Sequence, residues 1–381
     1  MSHRGTLALC AALGLGLLAK AEEPPARPGD RKLPASELPA ELGGRDTAQD
    51  RAARAAVDRA LARLALWQLE EADGSMPPAG AREFAPVATT ALAALAWMAA
   101  GNTPGRGPYG AQLSRAIDYL IEHTELDTNS ETYGYVHDQR DGLSRTHGHG
   151  FATLAMAQAF SLTPDSARGR RLQTALHAAV ACIENCQGSE GGWEYEPKRL
   201  VRHEGSVTIC LVQALRGAKD AGFVIDSKVI ARALDYVRRS QKEDGSFRYA
   251  IGNDRSSVAL TAAAIATLNA GGEYSGRVVL SGFDWIEREL TQRKLDSAWM
   301  AGERPGSHFP HYERFYLSQA LWQHADASVF QAWFGDEQRE LLGTQHDDGA
   351  WAGSHYGAVY ATSMSVLVLT LPDGLLPVYL R

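Results

Sequence analysis

Residues 187–193 read QGSEGGW, residues 241–247 read QKEDGSF and residues 345–351 read QHDDGAW. All three are Gln-x-x-x-Gly-x-aromatic, carried by Gln187, Gly191 and Trp193, by Gln241, Gly245 and Phe247, and by Gln345, Gly349 and Trp351. The glutamines stand 54 and then 104 residues apart, the second interval being nearly two periods of 52. A looser copy has Gln68, Gly74 and Met76. Upstream, Arg115-Ala-Ile-Asp-Tyr-Leu matches Arg232-Ala-Leu-Asp-Tyr-Val, and Tyr133-Gly134-Tyr135 stands at the turn of that unit. Phe283-Asp-Trp-Ile marks a further unit whose turn is degenerate. Self-similarity at a fixed period is the mark of a repeat architecture, and it divides the chain into six units of about 45 to 60 residues.

Each unit has the same internal order. An amphipathic helix with one charged face, such as Lys228 to Gln241, runs into the Gly-aromatic turn. A loop follows, and then a second helix that is small and apolar nearly all round. Ser257 to Leu268 is the clearest; Val87 to Ala100, Phe151 to Phe160, Val207 to Leu215, Phe315 to Trp322 and Ser363 to Leu369 are the others. A helix with no polar face must be buried on all sides. The second helices therefore form an inner ring and the charged ones an outer ring. This predicts an all-α fold, an (α/α)6 toroid of about twelve helices. Gly101, Gly222 and Gly271 follow second helices, where left-handed caps are expected. An open solenoid needs polar capping repeats. The last unit still has a wholly apolar second helix, which favours closure.

The repeated ending Arg-Ala-x-Asp-Tyr-x-x-x-x-Gln-x-x-x-Gly-x-aromatic resembles the QW motif of squalene and oxidosqualene cyclases, a repeat type shared with the β subunits of protein prenyltransferases. Gly191-Gly-Trp-x-Tyr, Gly205-Ser-Val-Thr and Ala214-Leu-Arg also resemble bacterial prenyltransferase/squalene-oxidase-repeat proteins. The resemblance spans residues 46–381. It implies that the QW glutamines, glycines and aromatics are structural, the glutamine serving backbone groups at the outer helix end and the ring packing on a neighbouring unit. The catalytic sets of both branches are missing. There is no Asp-x-Asp-Asp to protonate an alkene and no Asp-Asp-x-x-Asp to hold magnesium. Thr208 stands where the zinc set Asp-x-Cys would need an acid before Cys210.

The remainder of the chain sets the context. Arg4, an apolar run from Leu7 to Ala19 and small residues at Ala19 and Ala21 make a secretory signal pattern over residues 1–21, too short to span a bilayer. Residues 22–45 carry five prolines and many charges and read as a disordered tether. Residues 46–381 are then a single toroid domain. The expected location is secreted or periplasmic, with no transmembrane segment after cleavage. Losing Arg4 and Lys20 lowers the formal charge from −7 to −9, which makes nucleic acid a poor partner. Cys182, Cys186 and Cys210 are expected as buried thiols.

The loops from outer to inner helix all open on one end of a toroid, which also gathers the electropositive N-termini of the inner helices. Those loops are polar. They supply His147, His149, His203, Glu204, Asp254, His311, Tyr312 and Glu313 as catalytic candidates, and Arg202, Arg255, Arg314, His355 and Tyr356 as ligand-binding candidates. His, Tyr and Arg together suit proton abstraction beside a carboxylate. Glu204, Asp254 and Glu313 could supply the paired carboxylates of a glycosidase. The His147-x-His149 spacing alone makes no zinc site, so no metal is assigned; the sequence designates no cofactor and no oligomeric state. The leading functional expectation is a terpenoid-cyclase/prenyltransferase-like protein with an apolar or isoprenoid-like ligand in a central cavity. The alternatives are a carbohydrate-active enzyme, lyase or hydrolase, using the polar rim, and a non-catalytic binding scaffold. Cavity lining separates the first two: aromatic and aliphatic walls suit an isoprenoid, and a charged cleft joining His147, His203 and Arg314 suits a sugar acid.

Overall fold

The computed structural model describes residues 47–142, 145–201, 203–295, 307, 309–353 and 355–376. The leader and tether expected over residues 1–45 lie outside them, as do Arg202 and the loop of the fifth turn. Twelve α-helices occupy the described residues. Six outer helices, α1 (Ala48–Gln68), α3 (Gly110–Glu122), α5 (Ala167–Cys186), α7 (Ser227–Arg239), α9 (Arg277–Leu295) and α11 (Ala327–Thr344), alternate with six inner ones. The inner helices are α2 (Pro86–Ala99), α4 (Arg145–Leu162), α6 (Gly205–Asp220), α8 (Val258–Ala270), α10 (Pro310–Trp322) and α12 (Gly357–Thr370). Each inner helix packs on the next, and α12 packs back on α2 and on α1, so the ring is closed. The fold is the (α/α)6 toroid that the repeat predicts.

The two rings differ as their sequences require. In α1 the buried residues Ala53, Ala56, Val57, Ala60, Leu61 and Leu64 recur every three or four positions, one helical face. In α8 every residue from Thr261 to Asn269 is buried. Four outer helices start on side-chain caps: Thr47 accepts from the Asp50 amide, and Ser166, Asp226 and Asp326 cap α5, α7 and α11 in the same way.

The residues of the Gln-x-x-x-Gly-x-aromatic repeat join units together. The Gln187 side-chain amide donates to Gly191 O and to Val229 O of the following outer helix, both at 2.8 Å. Gln241 does the same with Gly245 O and Val278 O, and Gln68 with Gly74 O and Gln112 O. Gln345 closes the circle, donating to Gly349 O at 3.0 Å and to Ala56 O of α1 at 2.8 Å. The glycine is required because φ is +89° at Gly349, where a Cβ would stand 2.6 Å from Arg59 O of α1. The indoles of Trp193 and Trp351 donate to Ile183 O and Leu341 O at the ends of their own outer helices. A partner that the motif did not reveal is a buried inner-helix threonine. Thr90, Thr208, Thr261 and Thr362 each accept the backbone N–H two residues after the turn glycine, at Met76, Trp193, Phe247 and Trp351.

The structure refines the expectations in detail. After α8 the left-handed residue is Gly272, φ +90°, while Gly271 stays at φ −83°; Gly101 and Gly222 are left-handed as expected. In the second unit Tyr133-Gly134-Tyr135 lies at the turn, Gly134 is left-handed, and both Tyr135 and Val136 are buried. Inner helices α4, α6, α10 and α12 begin two to six residues before the apolar runs that announced them, so several polar residues assigned to loops are helical. The three described cysteines are free thiols, Cys182 and Cys210 buried and Cys186 half-buried on an unbroken α5.

Candidate functional site

The inner-helix N-termini surround a cavity of about 670 Å³, a size typical of small-molecule sites. All six inner helices contribute from their first turns, for example Thr89 of α2, His147 of α4, Ser206 of α6, Leu260 of α8, Tyr312 of α10 and Tyr360 of α12. Above them a hairpin of β1 (Arg248–Ala250) and β2 (Asn253–Ser256) brings Tyr249 and Arg255 to the wall. Six of the candidates read from the sequence meet here: His147, Glu204, Arg255, Tyr312, Glu313 and Tyr356.

The centre of the site is a chain of three side chains. Glu204 caps the N-terminus of α6, and its Oε2 accepts the Val207 amide at 2.8 Å and the Ser206 hydroxyl at 2.6 Å. Ser206 Oγ lies 3.0 Å from His147 Nε2. Because the hydroxyl proton points to Glu204, the serine oxygen accepts from an Nε2–H of the imidazole. Burial drives Glu204 up to about 7 against the opposing hydrogen bonds from Ser206 and Val207. Burial likewise drives His147 down to about 4, so the ring is neutral near pH 7. The two ends of the chain, Glu204 Oε1 and His147 Nδ1, are buried without a hydrogen-bond partner among the described residues. With Oε2 already taking two donors, the carboxyl proton belongs on Oε1.

A second carboxylate stands on the next but one inner helix. Glu313 is fully buried, and its Oε1 pairs with Arg293 of α9 at 2.7 Å while Oε2 finds no hydrogen-bond partner among the described residues. Two carboxyls in one cavity thus have unlike surroundings, one capped by hydroxyl and amide and one held by a guanidinium. Aromatic rings complete the wall: Tyr195 and Tyr249 hydrogen-bond through their hydroxyls, and Phe309 stacks on Tyr356 at 6.2 Å. Leu92, Phe151, Ala259 and Leu260 supply an apolar side. Arg255 is solvent-exposed and adds a cation to the cavity wall.

The other described candidates are not among the residues that line this cavity. His149 Nδ1 accepts the Val136 amide at 3.1 Å, taking the place that threonine fills in four other units, and burial pushes it down to about 3. His203 holds its own loop, accepting from the Gly192 amide and meeting Leu200 O at 3.0 Å. His311 Nε2 meets Ala352 O at 3.0 Å, and His355 pairs with Glu83 at 2.9 Å. Arg314 is buried between Glu337 and Glu340 of α11. Asp254 points outward, paired with Arg248 at 2.6 Å. The charged cleft joining His147, His203 and Arg314 is therefore not formed. Among the described residues no group of three or more His, Cys, Asp or Glu side chains is placed to hold a metal ion. His149→Ala is expected to lower stability by about 1–3 kcal/mol through the orphaned Val136 amide, with ligand binding in the cavity unchanged; chemical denaturation alongside a binding assay checks both.

Ser206, Tyr195, Tyr249 and Arg293 are site residues that the sequence reading passed over. Ser206 lay two residues from Glu204 in a block read as family resemblance; Arg293 sits on an outer helix twenty residues from its partner.

No protein-family model matches the chain, and no curated protein matches it. Solved structures do. A variant of the type II terpene cyclase MstE from Scytonema, in complex with geranylgeranyl dihydroxybenzoate, is 16% identical with a TM-score of 0.54, over 86% of this chain and 99% of that one. A D-mannose isomerase is 12% identical with a TM-score of 0.58, over 86% and 99%. A glycosidase variant in complex with glucose is 12% identical with a TM-score of 0.54, over 88% and 100%. At such identities the likeness establishes the α/α-toroid fold.

Proposed function

We propose that the cavity is an active site for general acid–base catalysis on a small carbohydrate-class ligand, with Glu204 as the acid. One observation carries this reading: a buried carboxyl, pushed up to about 7, keeps its proton on an unpartnered oxygen in a small-molecule cavity that also holds Glu313. Carboxyls whose environments differ divide into acid and base or stabiliser. A pKa near neutral suits proton transfer to oxygen, such as a glycosidic or carbonyl oxygen. It makes Glu204 a weak acid for an alkene, which is a far poorer base. Tyrosines and Arg255 offer hydroxyl and cationic partners, and the aromatic faces suit the C–H faces of a sugar. Like folds include a D-mannose isomerase and a glycosidase solved with glucose as well as a type II terpene cyclase, so the choice rests on the carboxyls. The leader pattern at residues 1–21 adds an extracytoplasmic location.

The apolar side built by Leu92, Phe151, Ala259 and Leu260 favours a second reading, an isoprenoid-like ligand. A panel of monosaccharides, nitrophenyl glycosides and prenyl alcohols separates the two. The expected result is saturable thermal stabilisation by a sugar or glycoside and turnover of at least one member. Stabilisation by prenyl alcohols alone would select the second reading.

A further inference from the structure

The unit formed by His147, Ser206 and Glu204 differs from a nucleophilic triad. There the carboxylate orients the histidine and the histidine activates the serine. Here the carboxyl takes the serine hydroxyl, and the histidine reaches the serine from the other side. Neither terminal atom, His147 Nδ1 or Glu204 Oε1, has a hydrogen-bond partner among the described residues, and both residues line the same cavity. Ser206 Oγ joins the two, meeting His147 Nε2 at 3.0 Å and donating to Glu204 Oε2 at 2.6 Å. Such an arrangement leaves one base and one acid, both buried and without a hydrogen-bond partner among the described residues, on two residues that line the cavity, coupled through a hydroxyl.

We propose that His147, Ser206 and Glu204 act as one bifunctional proton relay, in which His147 Nδ1 takes a proton from the ligand or an attacking water as Glu204 Oε1 delivers another. The proposal rests on the acid–base reading of the cavity. The steps balance. A proton leaves the ligand or water for His147 Nδ1; the Nε2 proton moves to Ser206 Oγ; the serine proton moves to Glu204 Oε2; the Oε1 proton goes to a ligand oxygen. In a glycoside, the bond from carbon to that oxygen breaks as the water oxygen bonds to the carbon. In a hydroxycarbonyl ligand, the carbonyl becomes a hydroxyl as its neighbour loses a proton. One proton enters and one leaves, so no member keeps a net charge in a buried site where an unpaired charge is costly. Ser206 is a positioning residue in this scheme, and His147 and Glu204 touch the ligand.

The test combines nitrogen NMR of His147 with turnover of the sugar and glycoside panel, in the native chain and in Ser206→Ala, Ser206→Thr and Glu204→Gln. The native chain is expected to hold His147 as the Nε2–H tautomer. Ser206→Ala should lose that preference and roughly 10²-fold of turnover while thermal stabilisation by the bound sugar persists, and Ser206→Thr should recover most of both. An Nδ1–H tautomer in the native chain would overturn the relay, as would full turnover in Ser206→Ala beside a dead Glu204→Gln. Should no sugar bind while the Nε2–H tautomer still depends on Ser206, the relay stands and the carbohydrate reading falls.

Discussion

Replacing Glu204 with Gln is expected to cut turnover by about 10²- to 10⁴-fold, the range for a lost general acid, and to change how stability responds to pH. A carboxyl whose folded-state pKa lies above its unfolded value contributes stability that is fully present below the unfolded value and is lost as the pH rises through the folded one. For Glu204 those limits are the ordinary 4.5 and about 7. Relative to Glu204→Gln, the native chain should therefore lose about 3 kcal/mol between pH 4 and pH 8. His147 and His149 act in the opposite direction: pushed down to about 4 and about 3, they add stability present above 6.5 and lost as the pH falls. Both histidines remain in the variant, so the difference between the two denaturation series isolates the carboxyl. Parallel series would leave Glu204 an ordinary cap.

Trp351→Ala is expected to produce the largest loss of stability, about 4 kcal/mol. Its indole is 1% exposed and donates to Leu341 O at 2.9 Å, so truncation opens a cavity and strips a helix end of its partner. It also sits in the unit whose Gln345 and Gly349 fasten the last turn to α1, where the ring closes. Val224, 91% exposed, is the matched control; its change to Ala should stay within about 0.5 kcal/mol. Equilibrium urea unfolding of both variants measures the contrast. An equal effect for the two would mean that the repeat aromatics do not hold the ring.

The ring was legible because its cause is periodic. Gln-x-x-x-Gly-x-aromatic repeats, and each copy makes the same bonds between neighbouring units. The site was legible only in part, and the reason is physical. His147, Tyr312 and Glu313 interrupt an apolar pattern and so read as loop, yet they lie in the first turns of α4 and α10, where the inner ring leaves space instead of packing. His149 is one turn-face away from His147 and has the same composition signal, but it satisfies a backbone amide. Nothing local distinguishes a histidine that faces a cavity from one that replaces a threonine. The Arg293–Glu313 pair joins an outer helix to an inner one, a contact set by the tertiary packing of the ring. Ser206 was passed over because a serine two residues after a cap is ordinary; its meaning comes from His147, fifty-nine residues away.

As the acid of the cavity, Glu204 must hold a transferable proton near neutral pH. Carbon-13 NMR of the side-chain carboxyls, with the Glu204 signal assigned by its absence in Glu204→Gln, measures that directly. The expected titration midpoint is near 7; a midpoint near the ordinary 4.5 would mean that Glu204 is not the acid.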